Sequence, residues 1–249
     1  MSLFPLESNP DVMNKVSLMF IYAAIIVLIF EKLQFMHVLG VPEKYKVVDV
    51  YGLDTDALAW VPRPVIALIL LFPCSEKYYT HAQKEKEELL NKGQEVSPNL
   101  WYMKQKVSNA CGTIALIHSI ANNEERVQLG EGAFKKLLSD SKNMSPEERG
   151  DILVKAEDIA YKLITTHQEL AMEGQTEVNP DEQVNHHFVA LVEKDGDLYE
   201  LDGRKDFPIV HGKTTHETFL EDAARVCKEF MERDSEDINF TVMALVESE

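Results

Sequence analysis

Residues 65–72 read VIALILLF, eight apolar residues in succession, closed off by Pro62 and Pro64 before and Pro73 after. A strand with one wet face alternates apolar with polar, and a surface helix carries a single apolar stripe. A run with no polar residue has to be covered on both sides. Eight residues suit a strand and fall short of an ordinary helix. This chain must therefore build layers on both faces of a central sheet, and its 249 residues suffice for the core that this requires. The expectation is a mixed α/β domain of the α+β kind.

The other segments fit that frame. Residues 46–51 alternate weakly and predict a strand before Gly52. Residues 81–93 are charged and predict a solvated helix or loop. Ser145-Pro146-Glu147-Glu148 supplies a cap, a first-position proline and an acid three residues after the cap, so a helix starts there. Residues 186–193 and 197–201 predict two strands joined through Asp195-Gly196, a hairpin signal. An amphipathic helix is expected over 219–233 and a last strand over 239–246. No repeat or linker divides the chain, so 1–249 reads as one domain.

Forty-two acidic residues against twenty-five basic give a net charge of −17, which argues against nucleic acid as a partner. A basic macromolecule is the natural complement, although solubility alone accounts for such a charge equally well. Cys74, Cys111 and Cys227 are too few and too scattered for a disulfide framework or a zinc site, which fits a reducing cytosol or nucleus. Residues 1–15 carry acids and prolines rather than the pattern of a secretory signal.

Residues 17–30, SLMFIYAAIIVLIF, form a block of fourteen residues without a charge. A membrane helix needs about 20, which disfavours a span and leaves a buried helix, a strand or an interfacial segment open. Without 16–34 the flanks join into a well-formed helix. Asn9 caps it, Pro10 takes the first position, and Asp11 suits the positive end. Val12, Met13, Phe35, Met36, Val38 and Leu39 then fall on one stripe, and Gly40 ends it. The block begins Val-Ser and ends Leu-Gln, pairs that GTAAGT and TTGCAG can encode, as at the two ends of a spliced intron. The expectation is that 16–34 is an atypical insertion, from an in-frame retained intron or an error of gene structure.

The chemistry centres on Cys111, where polar, turn-prone residues give way to an apolar helical run. Ser108 and Asn109 are good capping residues, and a thiol in the first turn meets unpaired N–H groups and the positive end of the dipole. Both favour thiolate, although an arbitrary cysteine is more often an inert core residue. A thiol nucleophile needs a base, a group that orients the base, and donors for an oxyanion. His37, His81, His211 and His216 offer nothing special. His118 lies about 10 Å along the same helix by helical rise, too far for a hydrogen bond to Cys111, and suits a core role. His186 and His187 start a strand whose hairpin partner ends at Asp202, so one of the two meets that carboxylate; both faces are apolar and periodicity leaves the choice open. Gln105 and the Cys111 backbone N–H are candidate oxyanion donors. Residues 169–183, long, polar and acidic, suit a lid over such a site.

These residues carry a resemblance. Gln105 followed by Asn109-Ala110-Cys111-Gly112-Thr113, then His187-Phe188-Val189-Ala190-Leu191-Val192, then Leu198-Tyr199-Glu200-Leu201-Asp202-Gly203-Arg204 resemble the ubiquitin carboxyl-terminal hydrolases, papain-like thiol peptidases, and most closely their single-domain L-type members. Pro5-Leu6-Glu7, Val48-Asp49-Val50-Tyr51-Gly52, Val61-Pro62-Arg63-Pro64 and Glu173-Gly174-Gln175-Thr176-Glu177 extend it over nearly the whole chain, with 16–34 left out.

The resemblance implies a central antiparallel sheet flanked by helices, on a knotted backbone. It implies Cys111 as nucleophile, His187 as base and then acid, Asp202 as its orienting partner and Gln105 as oxyanion donor, with no metal or cofactor. The substrate would be an adduct on ubiquitin's terminal glycine, cleaved through a thioester, and ubiquitin-like modifiers are further candidates. It implies that residues 169–183 form a crossover loop favouring small or flexible leaving groups. Ubiquitin contacts would come from Pro5, Leu6, Glu7, Asp11, Glu173, Gly174, Gln175, Thr176, Asp237 and Phe240. The expected protein is a monomeric cytoplasmic or nuclear hydrolase off the membrane. Two alternatives stay open because of the block: an impaired ubiquitin-binding module, or a hydrolase tethered to a membrane by 17–30.

Overall fold

The computed structural model describes Met36 and residues 39–155, 186–234 and 239–248. Its strands are β1 (Tyr45–Asp49), β2 (Val65–Pro73), β3 (His186–Lys194), β4 (Asp197–Leu201), β5 (Ile209–Lys213) and β6 (Thr241–Glu247). They form one sheet in the order β1-β6-β2-β3-β4-β5, with every neighbouring pair antiparallel. The apolar run is β2, near the middle and buried along its whole length. An antiparallel sheet commonly leaves one face to water, and this one does not, because helices cover both.

The helices are α1 (Thr55–Leu58), α2 (Glu76–Lys92), α3 (Cys111–Ala121), α4 (Glu124–Val127), α5 (Ala133–Asp140), α6 (Pro146–Lys155) and α7 (Phe219–Arg233). Strand periodicity sorts the sheet's side chains between two cores. Ile69, Ala190, Val192, Met243 and Leu245 pack with Ile114, Ile117 and Ile120 of α3 and Phe134 of α5. Leu68, Leu70, Phe72, Val189, Leu191 and Val242 pack with Phe219, Val226 and Phe230 of α7 and Tyr78 of α2. Each such side chain stabilises the fold by roughly 1.5–3 kcal/mol through burial.

Local chemistry explains the boundaries. Asp195 (φ 51°) and Gly196 (φ 81°) both occupy positive φ, as a two-residue hairpin turn of the primed kind requires. The turn sets the register of β3 on β4, from Lys194 opposite Asp197 to Ala190 opposite Leu201. At α6 the Ser145 N–H donates to Glu148 Oε2 (2.7 Å), and the Glu148 N–H donates to Ser145 Oγ (3.2 Å), a reciprocal capping box. The helix expected over 219–233 is α7, residue for residue. The charged stretch 81–93 belongs to α2, which begins five residues earlier, at Glu76, where Ser75 Oγ caps the Tyr78 N–H. Strands β1 and β6 are displaced by one or two residues from their expected bounds.

At the other end of the chain Met36 is helical and buried, and the Val41 N–H closes onto the Met36 carbonyl at 3.0 Å across Gly40 (φ 74°). That is the helix stop expected at Gly40. The inserted block 16–34, the segment 17–30 and the lid at 169–183 lie outside the described residues. Among the described residues no helix is long and apolar enough to cross a membrane.

Candidate active site

Cys111 is the first residue of α3. Neither Ser108 nor Asn109 caps that helix: Ala110 occupies the cap position without a side-chain bond, and Asn109 sits at φ 57°. The expected caps are thereby corrected. Asn109 serves instead as the left-handed turn residue that brings the chain into the helix, a conformation asparagine tolerates better than most. The Cys111 N–H keeps its place among the unpaired donors of the first turn, with no side chain competing for it.

His187 lies at the start of β3, 1% exposed, and its ring meets Phe72 edge-on from the neighbouring strand. Its Nε2 is 2.7 Å from Asp202 Oδ1. Asp202, immediately after β4, is equally buried, and the same Oδ1 accepts the Arg204 backbone N–H at 2.8 Å. The remaining nitrogen of His187, Nδ1, is buried without an oxygen or nitrogen partner. The Cys111 thiol lies close enough to this ring for each group to shift the other's ionisation. The structure thus brings Cys111, His187 and Asp202 together, and of the two histidines it is His187 that meets the carboxylate.

The electrostatics follow from that order. Burial opposes ionisation of Cys111, but hydrogen bonding to His187, its charge, the Phe188 backbone N–H and Arg204 outweigh it and hold the pKa below the ordinary thiol value. Burial likewise disfavours a charged His187, yet the Asp202 carboxylate and the Cys111 thiol push its pKa up to about 9. Burial raises Asp202, and His187, the Arg204 N–H and Lys205 more than reverse it. The three groups favour a thiolate, an imidazolium and a carboxylate in sequence. That is the state in which a cysteine nucleophile is charged and its neighbour holds a proton to give away.

Gln105 is held beside this group through its backbone, whose N–H donates to the Gly203 carbonyl at 2.9 Å. Its Nε2 donates one hydrogen to the Val107 carbonyl at 2.9 Å, so the second hydrogen is left for another acceptor, while Oε1 is buried without a partner. Gly203 leaves little room for a side chain at this crossing. A Cβ there would lie 3.0 Å from Gln105 N, Gln105 Cβ and Ile114 Cγ2.

The far end of α3 holds the strand-like segment that leads to Gln105. Asn122 exchanges two hydrogen bonds with the Trp101 backbone, at 2.8 Å each, and His118 Nε2 accepts the Met103 N–H at 3.1 Å. His118 is the core histidine expected; burial pushes its pKa down to about 4, so it is a neutral acceptor. Tyr102, stacked on His118, donates its hydroxyl to the Asp202 carbonyl (2.7 Å) and lies as close to the Lys205 carbonyl (2.6 Å). The helix that carries the thiol and the loop that carries the carboxylate are tied together by this segment.

Sequence reasoning missed Asn122 and Tyr102 as supports of the site. It also missed Glu200, fully buried on β4 and paired with Lys205 (2.7 Å) and His211 (2.9 Å). Lys205 reaches Glu85 of α2 as well, at 2.7 Å, which pins the loop after Asp202 to that helix. An acid between Tyr199 and Leu201, in the apolar stretch that follows Asp197, was the one available signal. Of the expected ubiquitin contacts, Pro5, Leu6, Glu7, Asp11, Glu173, Gly174, Gln175, Thr176 and Asp237 lie outside the described residues, as does His37. Phe240 is half-buried against the α7-side core, just before β6.

Residues 30–232 match the family model described as ubiquitin carboxyl-terminal hydrolase, family 1. A ubiquitin carboxyl-terminal hydrolase of Drosophila melanogaster is 49% identical over 241 residues, covering 97% of this chain and 96% of the fly protein. The isozyme L1 of Homo sapiens is 42% identical over 246 residues, covering 98% of each. Among solved structures, the Trichinella spiralis UCH37 catalytic domain bound to ubiquitin vinyl methyl ester superimposes with a TM-score of 0.69 at 21% identity, over 100% of this chain and 97% of that one. That likeness speaks for the fold: the mixed architecture with a central antiparallel sheet is the one expected.

Proposed function

The chain belongs to family 1 of the ubiquitin carboxyl-terminal hydrolases, as a cysteine-type deubiquitinase, and from that premise we propose that Cys111 attacks the carbonyl of ubiquitin's terminal glycine and passes through a thioester. The observation that carries this reading is the buried His187–Asp202 pair at 2.7 Å, set close enough to Cys111 at the N-terminus of α3 to lower the thiol's pKa.

The thiolate adds to the carbonyl, and the electron pair moves to oxygen. The Cys111 N–H and the second Nε2 hydrogen of Gln105 are the donors for that oxyanion, and donors fixed in advance stabilise it more than water could. As the tetrahedral adduct collapses, the C–N bond breaks and His187 gives its proton to the departing amine. Neutral His187 then takes a proton from water, hydroxide adds to the thioester, and the C–S bond breaks to release the ubiquitin carboxylate and restore the thiolate. Asp202 fixes the ring and stabilises its charged form at both stages. No metal or cofactor enters these steps.

The adducts favoured are small or flexible ones, because residues 169–183 are long, polar and acidic enough to form a loop across the site. The partner is ubiquitin or a related modifier with a basic face, for which a net charge of −17 provides steering. The protein acts as a cytoplasmic or nuclear monomer. Its further ubiquitin contacts are those named from the resemblance, Phe240 among them. The test is labelling with ubiquitin that bears a C-terminal vinyl methyl ester. A single adduct should form on Cys111 and vanish in Cys111→Ala; an adduct elsewhere, or none, would defeat the proposal.

A further inference from the structure

We propose that Tyr78 is a positioning residue of the active site, its hydroxyl donating to the Asp202 oxygen that His187 does not use and so setting both the orientation of the carboxylate and the proton affinity of His187. The inference rests on the catalytic roles proposed above. Asp202 Oδ1 is already committed to two donors, the His187 ring at 2.7 Å and the Arg204 backbone N–H at 2.8 Å. Oδ2 has one partner among the described residues, the Tyr78 hydroxyl at 3.3 Å. The phenol likewise has no other hydrogen-bond partner among them, and both side chains are buried.

A buried carboxylate oxygen with no donor is costly. A donor on Oδ2 satisfies it and adds a restraint on the Cβ–Cγ torsion to the one that Oδ1 already supplies. Its bond is long for an O–H···O contact, as hydrogen bonds of resting active sites often are before substrate closes them. Tyr78 is itself fixed: Ser75 Oγ caps its N–H in the first turn of α2, and its ring packs on Phe72, which also meets the His187 ring. Burial and the Asp202 charge push the phenol pKa well above its usual value, so it remains a donor throughout the working range.

The sign of the effect follows from charge. A hydroxyl donating to Asp202 disperses the carboxylate's negative charge; without it, that charge is felt more fully by the His187 imidazolium, which then holds its proton more tightly. The other titratable groups around Asp202 are Cys111, Cys74, Tyr79, Tyr102, His118, Glu200, Arg204 and Lys205, and a change from tyrosine to phenylalanine at 78 removes none of them.

The test is Tyr78→Phe in the full chain, read in two ways. Cleavage of a fluorogenic amide on the ubiquitin C-terminus should show kcat reduced about tenfold, the size of one hydrogen bond to a charged group, with KM unchanged. The rate of Cys111 alkylation by iodoacetamide as a function of pH should show the inflection for loss of the imidazolium proton shifted upward by about half a unit. A residue that merely supported the fold would not move that inflection. If kcat and the inflection both match the wild type, the proposal is overturned. Should the variant fail to fold, 3-fluorotyrosine placed at 78 alone keeps the ring and makes a stronger donor; the inflection should then move down, and an unmoved inflection overturns the proposal. Alkylation requires no ubiquitin, so a wild type that fails to cleave the amide would count against the functional reading and leave the Tyr78 comparison to be judged on its own profile.

Discussion

Gly203→Ala is the perturbation whose consequence can be worked most directly from the geometry. The added methyl would stand 3.0 Å from three atoms at once: Gln105 N, Gln105 Cβ and Ile114 Cγ2. Two of these belong to the backbone and the first side-chain carbon of Gln105, so no flexible side-chain end can swing away. Relief to an ordinary 3.4 Å contact moves Gln105 by a few tenths of an ångström. That displacement also stretches the 2.9 Å bond from the Gln105 N–H to the Gly203 carbonyl. Overpacking of this kind costs about 1–3 kcal/mol of stability. The larger effect falls on catalysis. A 1 Å misplacement of a reacting or stabilising group costs on the order of a hundredfold, so a few tenths at the oxyanion donor should cost about tenfold in kcat. The assay is steady-state cleavage of a ubiquitin C-terminal amide, with Cys111 alkylation against pH measured alongside. The expected outcome is lower kcat, near-normal KM and an unchanged alkylation profile, because neither His187 nor Asp202 moves. A variant with wild-type kcat would refute the assignment of Gln105 as an oxyanion donor, and a shifted alkylation profile would refute the independence of the two halves of the site.

Other outcomes follow from the same contacts. The pH profile of kcat/KM should be bell-shaped: activity appears as Cys111 ionises, below its ordinary pKa, and is lost as pH rises through about 9, where His187 gives up its proton. Lys205→Met removes a partner of the fully buried Glu200 while His211 remains, and should cost about 3 kcal/mol, at the low end for breaking a buried pair, measured by urea denaturation. Asn122→Ala deletes the side chain that pairs with the Trp101 backbone and leaves two buried backbone groups unpartnered. It should destabilise by about 2–4 kcal/mol, with activity declining as the segment leading to Gln105 loosens. Deletion of 16–34 should join the two halves of the first helix and tighten ubiquitin binding, read by titration calorimetry, and transcripts sequenced across Lys15 and Phe35 should be dominated by the form without the block.

The parts of this fold legible in the sequence are those set by neighbours in the chain. The apolar run of β2, the Asp195-Gly196 turn, the capping box at Ser145 and the amphipathic period of α7 all depend on residues within a turn or two of one another. The start of the Cys111 helix was legible but its cap was not, because two good capping residues precede it and the backbone uses one of them in a left-handed turn. The first turn of α2 was missed because its buried member, Tyr78, faces a core built from α7 and the sheet, which no local period reveals.

The site divides in the same way. A hairpin brings His186 and His187 near Asp202, and that much follows from antiparallel pairing. The choice of His187 depends on which face of β3 meets Phe72, and motif resemblance had to supply it before the geometry did. Tyr78 and Tyr102 lie 124 and 100 residues from Asp202 in the chain, and nothing short of the assembled fold joins them to it.

The central claim is that the Cys111 thiol is acylated by the C-terminal carbonyl of ubiquitin. Its most direct test is rapid acid quench of the enzyme during turnover of a ubiquitin C-terminal ester, followed by mass spectrometry of the intact protein and of the peptide containing Cys111. The expected result is an adduct of one ubiquitin in thioester linkage, released by hydroxylamine and confined to Cys111. Turnover at full rate with no such adduct under conditions that hold other thioesters intact, or an adduct on Cys74 or Cys227 instead, would contradict it.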